Sequence, residues 1–77
     1  MTDEERLHWF EAEAEASYTR MYDAANPSDA TARYSDAKEA LYSAIGLARS
    51  LDKADVATQL EARLAHIKAV FRSQFAT

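Results

Sequence analysis

The segment Ala48-Arg49-Ser50-Leu51-Asp52-Lys53-Ala54-Asp55-Val56-Ala57 decides the fold, because it determines whether the second half of the chain is one long helix or two. Upstream, Tyr34, Leu41 and Ala48 recur every seven residues; downstream, Ala57, Leu64 and Phe71 do the same. Extending the first series lands on Asp55, not Ala57. On a helix with 3.6 residues per turn, that two-residue slip rotates the apolar face by about 200°. An unbroken helix would therefore leave either Leu41 and Ile45 or Leu64 and Ile67 facing away from the first helix, at roughly 1.5–3 kcal/mol for each large side chain left in water. A turn near Asp52–Asp55 removes that cost. It places Asp52 as the N-cap of a third helix and Asp55 as an acid in its first turn, where both suit the exposed N–H groups and the helix dipole.

Working back from this turn, the next boundary is Asn26-Pro27-Ser28-Asp29. Asn is a strong N-cap, Pro fits the first helical position, and an acid follows in the first turn. The helix it opens carries Ala30, Tyr34, Ala37, Leu41, Ala44, Ile45, Ala48 and Leu51, flanked by Ala40 and Leu47. That apolar arc is wide enough to predict two neighbours. The preceding helix starts at Thr2, since Thr2-x-x-Glu5 has the form of a capping box. Its stripe is Leu7, Phe10, Ala14, Ser17, Tyr18, Met21, Ala24 and Ala25, spaced by threes and fours. The third stripe is Ala57, Leu60, Leu64, Ile67, Phe71 and Phe75, broadened by Val56 and Val70. Together these predict an all-α, three-helix antiparallel bundle with helices over about 3–25, 27–51 and 53–75, in a single domain spanning 1–77.

Composition agrees with this pattern. Of the 77 residues 48% are hydrophobic and 29% charged, a globular balance. One Gly and one Pro leave little material for the tight turns of a β-rich fold. There is no cysteine, so neither a disulfide framework nor a thiolate metal site is available. The opening Met1-Thr2-Asp3-Glu4-Glu5 is acidic where a signal peptide would be basic, and no apolar run approaches the roughly 18 residues of a membrane span. The expectation is a cytoplasmic protein without a membrane segment.

Net charge is −4, which argues against nucleic-acid and anionic-membrane partners. Its distribution is uneven. Residues 1–29 carry eight acids against Arg6 and Arg20, a net −6, whereas residues 30–77 carry five acids against seven bases, a net +2. Either the acidic first helix is matched by the rest of its own chain, or chains pair head to tail.

Three kinds of site are conceivable from the residue types present. Glu5-x-x-His8 with Glu11 has the spacing of carboxylate-bridged metal bundles, but those need a second such pair, and His66 is preceded three residues earlier by Arg63. No metal and no cofactor is expected. Both histidines read as surface residues, His8 pairing with Glu4 or Glu11. Arg63, Lys68 and Arg72 are the candidate phosphate contacts of a nucleic-acid-associated regulator using the third helix, the alternative function; their spacing spreads them around that helix. Catalytic chemistry lacks its residues: no Ser or Thr neighbours a His and an acid, and no Gly-rich phosphate loop exists.

Trp9 is the residue an isolated bundle would not need. With Leu7, Phe10 and Ala14 buried, Trp9 falls roughly opposite the stripe, beside Ala12 and Ala16. Either the indole folds over the bundle end near Phe71 or Phe75, or Trp9, Ala12 and Ala16 form a contact surface of the kind that suits a partner helix. Tyr22 and Tyr42 lie at the margins of their stripes and would extend it.

The pattern Tyr34-x-x-Ala37-x-x-x-Leu41-x-x-Ala44-Ile45-x-Leu47 resembles the second helix of a tetratricopeptide repeat and the middle helix of the microtubule-interacting-and-transport domain, a three-helix bundle of about this size. The resemblance implies a helical module that binds a peptide or helix in a groove. The expected function is accordingly a small non-enzymatic protein–protein interaction module, one that could self-associate.

Overall fold

The computed structural model describes residues 1–75 and consists of three helices: α1 (Asp3–Tyr22), α2 (Pro27–Ser50) and α3 (Ala54–Gln74). α2 packs closely against both α1 and α3, and α1 and α3 meet each other through longer side chains such as Glu15 with Arg63 and Tyr22 with Phe75. The assembly is flattened, 38 × 23 × 13 Å along its principal axes. The wide apolar arc of α2 is thereby used against both neighbours. Ala30, Ala37, Ala40, Leu41, Ala44, Ile45 and Ala48 are all buried.

Each helix start follows from local chemistry. At α1 the capping box is complete: the Glu5 N–H donates to Thr2 Oγ1 at 3.2 Å, and the Thr2 N–H donates to Glu5 Oε1 at 2.9 Å. The Thr2 backbone N–H, and after it the Thr2 hydroxyl, favour the charged form and hold the Glu5 carboxyl below its ordinary pKa. At α2 the Asn26 side chain accepts from the Asp29 N–H at 2.8 Å, with Pro27 opening the helix. α1 ends at Tyr22, three residues before the expected boundary. The Asp23 N–H turns onto Thr19 and Met21, and the Ala24 N–H bonds Met21, so the chain leaves the helix and Ala25 is exposed.

The turn between α2 and α3 falls where the phase slip requires it, but Asp52 has a different role from the one expected. It is not the N-cap of α3. Lys53 holds that position with no side-chain hydrogen bond, and Asp52 is in the left-handed region at φ 57°. The Lys53 N–H reaches back to Ala48 O at 2.8 Å and the Asp52 N–H to Arg49 O at 3.1 Å. This 6→1 and 5→2 pair is a Schellman motif. Asp52 thus closes α2 in a position that usually falls to glycine, which Asp tolerates better than most residues.

Two apolar clusters fill the interior. Ala14 of α1, Ala40, Leu41 and Ile45 of α2, and Leu64 and Ile67 of α3 form one, with Phe10, Tyr18, Tyr34 and Leu60 packed against it. Leu7, Ala44, Ala48 and Ala57 form the other, near the α2–α3 turn. At the opposite end Tyr34 stacks on Phe71, centroids 3.9 Å apart and planes within 2°, and Phe71 continues onto Phe75. Phe10, Leu41, Ile45, Leu64 and Ile67 therefore share one core, as the turn demanded. Among the described residues no helix is long and apolar enough to cross a membrane.

Candidate interaction groove

The three helices leave an open groove between α1 and α2 that no α3 residue lines. In its first stretch α1 contributes Trp9, Phe10, Glu13, Ser17 and Arg20, while α2 contributes Asp36, Glu39, Ala40 and Ser43. A second stretch shares Phe10 and Ser43 and continues along Arg6, Tyr42, Gly46, Leu47 and Ser50. Along it Trp9 and Tyr42 are exposed, Phe10 is half-buried and Ala40 is buried.

Trp9 does not fold over the bundle end. Phe71 and Phe75 are occupied with Tyr34 and Tyr22 at the far end, and Trp9 meets Phe10 edge to face, centroids 5.1 Å apart. The indole remains 51% exposed, and Tyr42 on α2 is 54% exposed. Of the expected strip only Trp9 lines the groove; Ala12 is exposed and Ala16 half-buried, and neither borders it. The residue paired with Trp9 on the groove wall is Glu13, one turn further along the same face.

A second set of side chains ties α1 to α3 on the other side of the molecule. Arg63 Nε donates to Glu15 Oε2 at 2.8 Å and Nη2 to Oε1 at 2.6 Å, a bidentate pair. The Arg63 hydrogen bonds hold the Glu15 carboxyl below its ordinary pKa, and Glu15 in turn raises that of Arg63. The guanidinium also lies 4.8 Å from the Tyr18 ring centroid. The Tyr18 hydroxyl donates to Tyr22 Oη at 3.4 Å and sits 3.5 Å from His66 Nε2. The Tyr22 contact and partial burial raise the Tyr18 pKa.

This arrangement separates the three bases of the candidate nucleic-acid patch. Arg63 turns towards α1 and is neutralised by Glu15. Lys68 turns the other way, donating to Tyr42 Oη on α2 at 3.2 Å. Arg72 stands exposed in the last turn of α3. The structure also disperses the Glu5, His8 and Glu11 set. Glu5 is committed to its cap, His8 Nδ1 lies 4.0 Å from Glu11 Oε2, and among the described residues no three His, Cys, Asp or Glu side chains converge to hold a metal ion.

No family model matches the chain, and no curated protein or solved structure gives a match. The segment that resembles repeat and transport-domain helices is accounted for by packing on two sides. Ala37, Leu41, Ala44 and Ile45 are buried between α1 and α3, and Tyr34 and Leu47 are half-buried at the edges.

Proposed function

We propose that this protein is a non-enzymatic helical interaction module that binds a helical segment of a partner protein in the α1/α2 groove, with Trp9 as the anchoring contact. The observation that carries the reading is the half-exposed indole on the wall of a groove between two antiparallel helices. Tryptophan is enriched among the residues that dominate binding energy at interfaces, and a groove between helices with an aromatic anchor accepts an amphipathic helix. A cytoplasmic location belongs to the same proposal and is supported by a chain without cysteine. The resemblance of residues 34–47 to peptide-binding helical modules points the same way.

The test is capture of partners from extracts of the source cells by the wild type and by Trp9→Ala, followed by titration of each purified partner. A partner whose affinity falls roughly tenfold or more with Trp9→Ala supports the reading, since a hot-spot residue is worth about 2 kcal/mol or more. Retention of every partner by the variant at undiminished affinity contradicts it.

A further inference from the structure

Resting on that reading of the groove, we infer that its occupant is a cationic amphipathic helix of another protein, recognised by the carboxylates on the two walls. Glu13 stands on the α1 wall, and Asp36 and Glu39 on the α2 wall, against Arg20 in the same stretch and Arg6 in the next, so the acids are concentrated in the stretch that holds Trp9. Among the described residues Glu13 and Glu39 make no ion pair; Asp36 shares Arg33 at 3.7 Å. The same stretch is lined by the apolar side chains of Trp9, Phe10 and Ala40. The complementary ligand is a helix with apolar residues on one face and Lys or Arg at the margins of that face. From Arg6 to Arg20 the groove follows about 20 Å of helix, enough for roughly four turns of a partner.

The same charges disfavour a second copy of this chain. Two copies docked through this face would set Glu13, Asp36 and Glu39 of one against the same acids of the other, with Arg6 and Arg20 as the lining bases. Like charges brought together at an interface are costly. The net −4 of the whole chain adds long-range attraction for a basic partner.

The experiment is selection, on the full chain, from a displayed library of amphipathic helices. Each carries a fixed row of leucines on one face and Lys, Arg, Asp, Glu and Ser in equal proportion elsewhere. The enriched helices are expected to carry more Lys and Arg than Asp and Glu, to shift the emission of Trp9, the sole tryptophan, to the blue, and to bind less tightly as salt rises. Their affinity for the double variant Glu13→Lys/Glu39→Lys should fall roughly tenfold or more. Glu39→Lys alone, at an exposed position, repeats the comparison if the double variant does not fold. Enriched helices that depend on Trp9 yet show no basic excess, or bind the double variant equally well, overturn the charge assignment and leave the groove standing. Enrichment that ignores Trp9→Ala, or no enrichment at all, overturns both. Self-association abolished by Trp9→Ala assigns the groove to a second copy and overturns the inference.

Discussion

Arg63 on α3 grips Glu15 on α1 with two hydrogen bonds, at 2.8 and 2.6 Å, across 48 positions of sequence. This pair, with Tyr18 beneath the guanidinium, joins the two outer helices, each of which otherwise packs chiefly against α2. It faces away from the Trp9 groove, so closure of the bundle and exposure of the groove draw on different residues.

The pair predicts a pH dependence with a definite sign. The Glu15 pKa is lowered in the folded state, so its contribution is present above the unfolded carboxylate pKa and disappears as pH falls through the lower, folded value. The Arg63 side chain is 37% exposed and that of Glu15 51%, and this solvent screening limits the contribution to about 1 kcal/mol or less. Glu15→Gln should therefore be less stable than wild type by at most that amount at neutral pH. The gap should close on acidification below the usual carboxylate range. Urea melts at a series of pH values check this, and a gap that persists into strong acid would contradict the assignment.

Gly46 sits in α2 with nothing within 4 Å of where a Cβ would lie. Glycine in a helix interior costs about 0.8–1.0 kcal/mol relative to alanine. Gly46→Ala should raise unfolding stability by roughly that amount, measured by thermal or chemical denaturation. A destabilised variant would mean that the backbone at this position is not helical in solution.

Asp52 supplies the positive φ that ends α2. Glycine adopts that conformation without the steric penalty of a Cβ, so Asp52→Gly should stabilise by about 0.5–1 kcal/mol and Asp52→Val should destabilise. The alternative role, an N-cap for α3, predicts the opposite order for glycine, because loss of a capping side chain costs stability.

Ile67 is completely buried in the cluster that joins all three helices. Ile67→Ala should cost about 2–5 kcal/mol. A single core in a chain this short rarely supplies more than about 3–5 kcal/mol in total. The variant is expected to be largely unfolded at 37 °C by far-UV circular dichroism, whereas truncating exposed Tyr42 should leave the melt within about 0.5 kcal/mol.

Much of the fold is legible in the sequence because helix periodicity and capping act locally. Asn26-Pro27 and Thr2-x-x-Glu5 mark their helix starts through contacts three residues long, and the slip between Ala48 and Ala57 requires a turn wherever the exact cap falls. Asp52 shows the limit. An acid before a helix reads equally as its N-cap or as the left-handed close of the previous helix, and the choice depends on backbone geometry around Ala48. The groove was only half legible. Periodicity identifies Trp9 as lying off the buried stripe, but not on which side of that stripe α2 runs. The spacing points to the edge with Ala12 and Ala16, whereas the groove runs along the edge with Glu13 and meets Asp36 and Glu39 of α2, acids that residue spacing within one helix could not assemble. The link between Glu15 and Arg63 was hidden for the same reason, because it spans two helices.

Whether Trp9 is held outside the core for binding is read from the unfolding free energy of Trp9→Ala beside wild type. A half-exposed indole whose described aromatic contact is one edge-to-face meeting with Phe10 should contribute about 1 kcal/mol or less to stability. Trp9→Ala should lose stability within that range, with the α-helical spectrum unchanged. A loss of about 3–5 kcal/mol, the cost of deleting a core tryptophan, would show that Trp9 serves the fold itself and would contradict its role in binding.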